Sequence, residues 1–281
     1  MGAMNEMSEA TSDISDGEKS IDERIYELEY AKKYYFESAY NLELKIELLA
    51  DFSKSLNLRP LTNHIISHLP FSKAQLIQDL LVSFLFPEKG YFVEFGASDG
   101  KIVSNTYYLE KELGWDGILA EPSLKWIEAL ENNRNCNIEK GCVYSQSDLL
   151  DSFKETEDGL LSTISDYADS DLHADLRRQS VEYEVRTISL MDLLMKFDAP
   201  KYIELLSVDT EGSEWEILKN FDFDTYKFGA IFVEHNYGLT REKIFQLLEH
   251  NGYKRILTQF SRWDDWFISS EMYDSNLGLF T

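Results

Sequence analysis

Four short runs of this sequence end on residues that could do chemistry. "YFVEFGASDG" (91–100) carries an apolar stretch through Glu94 to Gly96 and Gly100, and "GILAEPS" (117–123) ends on Glu121. "SVDTEGSEWEIL" (207–218) holds Asp209, Glu211 and Glu214, and "AIFVEHNY" (230–237) holds Glu234, His235 and Asn236. Glycines let a backbone approach a ligand closely, and a helix that follows offers free N–H groups. A glycine pair alone fits a tight turn without a ligand equally well. Dinucleotide sites read G-x-G-x-x-G, whereas Gly96 and Gly100 read G-x-x-x-G, with Glu94 one step inside the strand. An acid in that place repels a pyrophosphate and suits a cation, which turns the reading from NAD toward a sulfonium. Glu121 stands about twenty residues beyond the turn, where an acid in a nucleotide fold accepts hydrogen bonds from ribose hydroxyls. Its other reading is a helix N-terminal charge ahead of Pro122 and Ser123.

The later runs supply candidates for proton transfer. Asp209 closes a strand, and Glu211 and Glu214 open a helix, as site acids or as N-terminal charges with Ser213 as a cap. A neutral imidazole at His235 could take a hydroxyl proton near physiological pH; its other reading is a structural histidine. Asp209 with Glu234, His235 or Asn236 could instead gather an octahedral divalent cation such as Mg. "FSRWDDWFIS" (260–269) places Trp263 and Trp266 around Asp264 and Asp265, a set that suits sugar hydroxyls and C–H faces. The reading preferred here is a last hairpin whose tryptophans cover the core.

These residues need elements to position them. Strand-like runs at 91–95, 117–120, 203–208 and 229–233, with weaker ones at 137–143 and 181–188, alternate with helix-like segments at 104–113, 123–132, 213–219 and 240–250. That alternation predicts a mostly parallel sheet covered on both faces, with ligands beyond the carboxyl ends of its strands. Upstream, "SKAQLIQDLLVSFLF" reads as a core-facing helix with Ser72 as N-cap and Pro87 as stop. Ile21, Ile25, Leu28, Tyr35, Ala39, Leu42, Ile46, Leu49 and Leu56 recur at spacings of three and four, broken only by Lys32 and Ser53. This is a heptad seam on a long helix over 19–59, ended by Pro60. The helix either pairs with another chain, as a homo-oligomer or with a partner protein, or packs on its own domain.

Composition bounds the function. A net charge of −24 disfavours nucleic acid and anionic membranes as partners. No run is long and apolar enough to span a membrane, and no secretory signal opens the chain, so a cytoplasmic protein is expected. Cys136 and Cys142 read as two reduced thiols. "MGAM" reads as a cloning scar, and residues 1–18 as a disordered tail. Between Asp148 and Asp175 nine acids face one Lys154, which predicts a solvated insertion over 148–175 within a domain spanning 60–281.

"YFVEFGASDGKIVSNTYYLEKELGWDGILAEPS", "VRTISLMDLL" and "LLSVDTEGSEWEIL" together resemble the FkbM family of S-adenosylmethionine (SAM)-dependent methyltransferases, from about Gln75 to Arg255. The resemblance implies an α/β fold with a Rossmann-like class I methyltransferase sheet of about seven strands, helices on both faces, and O-methylation of a sugar, glycan or natural product. On the family's pattern Glu94, Gly96, Ala97, Ser98 and Gly100 line the methionine part of SAM and Glu121 the ribose, with Pro122 and Ser123 beside it. The region of Cys142 takes the adenine, and Ser104 and Asn105 lie near the cofactor or substrate mouth. Asp209, Glu211 and His235 are then the acceptor-site candidates. Two alternatives stand beside this: a non-catalytic scaffold that keeps the SAM fold and recruits a partner through its N-terminal helix, and an NAD-linked oxidoreductase, against which Glu94 and the missing third glycine argue.

Overall fold

A computed structural model describes residues 41–156, 159, 162–165 and 180–280. The chain divides into two compact units, Met1–Glu43 and Leu44–Thr281. The tail expected over 1–18 and residues 19–40 of the helix expected over 19–59 lie outside the described residues, as does most of the acidic insertion beyond Thr156.

In chain order the strands are β1 (Tyr91–Phe95), β2 (Asp116–Ala120), β3 (Asn137–Glu139), β4 (Cys142–Tyr144), β5 (Leu150–Thr156) and β6 (Thr163–Ile164). They continue with β7 (Ser180–Ser189), β8 (Tyr202–Val208), β9 (Lys227–Glu234), β10 (Tyr253–Ile256) and β11 (Asp264–Ser269). The helices used below are α1 (residues 41–52), α2 (Arg59–His68), α3 (Gln78–Leu85), α4 (Tyr107–Lys111), α5 (Ile127–Asn133), α6 (Leu190–Lys196), α7 (Glu214–Leu218) and α8 (Arg241–His250).

The main sheet has seven strands in the order β3-β2-β1-β8-β9-β11-β10. All neighbours are parallel except β11, which runs antiparallel between β9 and β10. Strands β1, β8 and β9 are covered on both faces and therefore read as near-continuous apolar runs. Successive side chains alternate between faces. Phe92, Leu205, Phe232 and Trp266 enter one core layer with Phe52, Leu61 and Leu81. Val93, Leu206, Ile231 and Phe267 enter the other with Leu193 and Leu218. The chain winds outward in both directions from β1, so the crevice between the carboxyl ends of β1 and β8 is the switch point where a ligand would sit.

A second sheet, β4-β7-β5-β6, lies outside the main one. The run at 137–143, read as one strand, is in fact two: β3 joins the main sheet, and β4 pairs with β7 after a turn at Gly141. The start of the acidic insertion is the ordered strand β5, paired along its length with β7.

Three helix boundaries differ from expectation. α1 ends at residue 52 and Leu56 is 81% exposed, so the seam stops short of it. Pro60 does not end that helix; it sits in the first turn of α2, where its missing N–H costs nothing. Ser72 is not an N-cap: its hydroxyl donates to buried Asp79, and α3 starts only at Gln78.

Candidate active site

The turn after β1 is held by its neighbours. Gly96 has φ +70°, and a Cβ there would meet the Asp209 carbonyl oxygen at 2.2 Å, so the tip of β8 demands the glycine. Ser98 donates its N–H to Glu121 Oε2 at 2.7 Å and Ser123 donates to Glu121 Oε1 at 2.8 Å. Glu121 thereby joins the ends of β1 and β2. Its burial pushes the carboxyl up to about 7 against those two hydrogen bonds. Asp99 caps the turn, accepting from the N–H groups of Lys101 and Ile102.

Glu94 organises the next loop. Its carboxylate accepts from Ser104 Oγ (2.9 Å), Asn105 N–H (2.7 Å) and Thr106 Oγ1 (2.5 Å). Burial raises its pKa, opposed first by Arg134, whose Nη1 is 3.8 Å away. Arg134, at the end of α5, is the hub. It donates to Glu110 Oε2 (2.6 Å), the Gly100 carbonyl (3.0 Å), Ser104 Oγ (3.2 Å) and Thr106 Oγ1 (2.9 Å). So anchored, Asn105 reaches across to β8 and donates to Ser207 Oγ, while its buried Oδ1 has no partner among the described residues.

Beyond β8 and β9 three acids converge. Carboxylate oxygens of Asp209, Glu211 and Glu234 lie within 4.8 Å of one another. Glu211 adopts φ +57°, a left-handed conformation that a non-glycine residue takes up only under constraint. Glu214 supplies that constraint: its Oε1 accepts from Thr210 N–H, Thr210 Oγ1 and Gly212 N–H. Burial raises both Asp209 and Glu234; a hydrogen bond between them relieves Asp209, and the charge of Asp209 raises Glu234 further. The second oxygen of Glu234 is buried without a partner among the described residues. A cleft of about 40 Å³ joins Asn105, Asp209, Glu234, Asp264 and Trp263. Gln75 and Gln78 complete it from the start of α3, accepting from Trp263 Nε1 and donating to Asp264 Oδ2 respectively.

The second sheet lies across these strand ends. Glu155 on β5 accepts from Ser123 Oγ and Tyr183 Oη, and Thr163 on β6 donates to the Glu211 carbonyl. Cys142 on β4 is buried, with its thiol pushed up to about 12 by that burial. Beside it, Pro122, Glu139, Gly141, Tyr183 and Lys196 border an open cavity of about 650 Å³.

The sequence matches the family model for the methyltransferase FkbM domain over residues 94–272, more than half of the chain. The chain belongs to the FkbM methyltransferase family. No curated protein matches it. Among solved structures the FkbM chain is similar to an FkbM methyltransferase from Methylobacillus flagellatus KT, at 11% identity and TM-score 0.41, with 76% of this chain and 62% of that one covered. It therefore spans less than two thirds of that relative's length. It is also similar to precorrin-6y C5,15-methyltransferase from Geobacter metallireducens GS-15 (13% identity, 70% and 88% covered, TM-score 0.36). A third similar structure is the plantazolicin methyltransferase BpumL in complex with S-adenosylhomocysteine (SAH), at 12% identity, 83% and 99% covered and TM-score 0.34. The FkbM chain has the Rossmann-like α/β methyltransferase fold expected from its sequence.

The FkbM domain gathers most of the residues singled out from sequence, in three groups: Glu94 with Ser104 and Asn105; Ser98 with Glu121 and Ser123; Asp209 with Glu211 and Glu234. His235 joins none of them. Its Nδ1 accepts from Tyr237 N–H, and its Nε2 stands 3.8 Å from Asp265, which is clasped by Arg241 and Arg255. Strand alternation explains the separation: Asp264 shares the cleft with Glu234, so Asp265 and its partner His235 fall to the other face. Of the expected set Asp209, Glu234 and His235, the two acids lie close together with Glu211, and His235 is not among them. Trp266 is wholly buried, as the hairpin reading required, while Trp263 lines the cleft. The sequence singles out neither Arg134, since "NNRNCN" carries no motif, nor Gln75 and Gln78.

Proposed function

We propose that this FkbM domain is a SAM-dependent O-methyltransferase acting on a hydroxyl of a sugar, glycan or natural product, with the Asp209–Glu234 pair as its base. The supporting observation is that pair: two raised carboxylates joined by a hydrogen bond at the tips of adjacent strands, one oxygen unpartnered, next to the glycine turn after β1. The donor set fits SAM. Carboxylates and an orphaned amide oxygen face the cleft, with no Lys or Arg among its described lining residues, as a cationic cofactor requires. Gly96, Ala97, Ser98 and Gly100 would hold its methionine part and Glu121 its ribose, with Pro122 and the region of Cys142 on the adenine side, where the 650 Å³ cavity leaves room for a purine. When bound, SAM supplies a methyl carbon already made electrophilic by its sulfur.

The chain's own part is alignment and proton removal. Asn105 Oδ1 and Glu234 Oε2 are buried acceptors that would orient the acceptor's hydroxyl. Burial and the neighbouring acids hold both carboxyls above their ordinary range, and the deprotonated member of the pair takes the hydroxyl proton. SAH titration followed by an acceptor screen, reading the mass gain of one methyl group, tests this. Absence of SAH binding would overturn the proposal. A second reading uses the same oxygens, clustered within 4.8 Å, to hold a divalent cation that acidifies the hydroxyl. Turnover unchanged by a chelator would exclude it.

A further inference from the structure

Two buried oxygens at the strand-end cleft, Asn105 Oδ1 and Glu234 Oε2, have no hydrogen-bond partner among the described residues. Both residues line the cleft. A buried acceptor left unpaired is costly, so each oxygen calls for a hydrogen from whatever fills the cleft. A hydroxyl carries a single hydrogen. One acceptor hydroxyl therefore satisfies one of the two oxygens and leaves the other unpaired.

The placement of the two oxygens decides what serves both. Asn105 is tied to β8 through Ser207. Ser207 lies opposite Phe232 of β9, and Glu234 follows two residues on, so its side chain leaves β9 on the same face as that of Phe232. The two oxygens are thus held at neighbouring strands, which run about 4.8 Å apart. A primary amine also brings two hydrogens, but both come from one atom. Hydroxyls on adjacent carbons bring one each from two atoms, one toward each strand. The rest of the lining fits the same group. Asp209 and Asp264 add carboxyl oxygens, the Trp263 ring offers a face for C–H groups, and no Lys or Arg is present among the described lining residues, so an anion beside the reacting carbon is disfavoured. A cleft of about 40 Å³ admits such an edge rather than a whole sugar.

On the methyl-transfer reading above, we propose that the acceptor presents an uncharged vicinal diol, one hydroxyl donating to Glu234 Oε2 and its neighbour to Asn105 Oδ1. The hydroxyl at Glu234 reacts. Its oxygen forms the bond to the methyl carbon, the carbon–sulfur bond breaks with its electron pair left on sulfur, and the proton passes to the Asp209–Glu234 pair. The neighbouring hydroxyl is unchanged and holds the diol in place, which makes Asn105 a specificity residue.

The test offers the full chain, with SAM, methyl pyranosides with free vicinal hydroxyls, their monodeoxy analogues and their 2-amino-2-deoxy analogues, reading methyl gain by mass. Transfer to the diols is expected, with kcat/KM about tenfold to a hundredfold lower once the neighbouring hydroxyl is removed, the worth of one buried hydrogen bond. A phosphate on the neighbouring oxygen should stop transfer. Asn105→Ala should bring diol and deoxy rates together with SAH affinity within a few-fold of wild type, and Asn105→Asp, which keeps an oxygen in place, should keep the preference. Equal transfer to the deoxy analogues overturns the inference and leaves the methyl-transfer reading intact. So does faster transfer to the amines, loss of the preference in Asn105→Asp, or weaker SAH binding in Asn105→Ala with the preference unchanged, since Oδ1 would then serve the cofactor. Absence of SAH binding, or of transfer to every one of these acceptors, overturns that reading and the inference with it.

Discussion

The acids at the strand ends differ in what surrounds them, and this separates their roles. Glu94 is tied to three donors of one loop, whereas Glu234 keeps one oxygen with no donor among the described residues. Glu234→Gln removes the proton acceptor and keeps the shape, so turnover should fall by about 10²–10⁴-fold, the usual worth of a general base, with SAH affinity retained. His235→Asn should stay within a few-fold of wild type. Steady-state kinetics on the two variants decides between them, and the opposite ranking would return the role to His235. Because burial and mutual repulsion raise the pair, activity should climb with pH as the member that serves as base loses its proton. Glu121 gives a separate signal. Its folded pKa of about 7 lies above the unfolded value, so the folded state binds the proton more tightly. The stability it adds is complete below the unfolded pKa of about 4 and is lost as pH rises toward about 7. Thermal midpoints across that window should fall less steeply in Glu121→Gln. Glu121→Ala should weaken SAH binding about tenfold or more, the worth of hydrogen bonds to a charged group.

Among elements, the loop between Gly100 and Thr106 depends on α5 through Arg134. Its side chain is fully buried between Glu94 and Glu110. Arg134→Met would leave both carboxylates buried without their cation, a loss of about 3–5 kcal/mol. Chemical denaturation should show that loss, and Arg134→Lys should recover only part of it, because an ammonium cannot serve four acceptors as a planar guanidinium does. This hub marks the limit of sequence reading. Strands β1, β2, β8 and β9 were legible because buried parallel strands are apolar throughout, and Glu121 and Asp209 because they follow such strands directly. Arg134, Gln75 and Gln78 act through contacts distant in sequence, which no local spacing records. That His235 falls outside the acidic cleft has a related reason: the order of residues past β9 is visible, but which face each one takes depends on β11 beside it. The break between β3 and β4 was hidden because a single glycine, Gly141, moves the chain from one sheet to another.

At the scale of the molecule, charge shapes what the site meets first. The chain carries −24, and Asp209, Glu211, Glu234 and Asp264 add their local field at the cleft. SAM bears one positive charge more than SAH, while the two share the parts expected to meet Glu121 and the glycine turn. If the proposed function holds, the acidic field should favour the substrate form of the cofactor over its product, both during approach and once bound. Screening by salt should erode that difference, since at an ionic strength of about 0.15 M charges more than about 8 Å apart are largely shielded from one another. Titrations of both ligands from low to high salt should show SAM affinity falling more steeply than SAH affinity, and Glu234→Gln should narrow the gap. Parallel slopes for the two ligands would mean that the acids face away from the sulfur, and that the acceptor alone meets them.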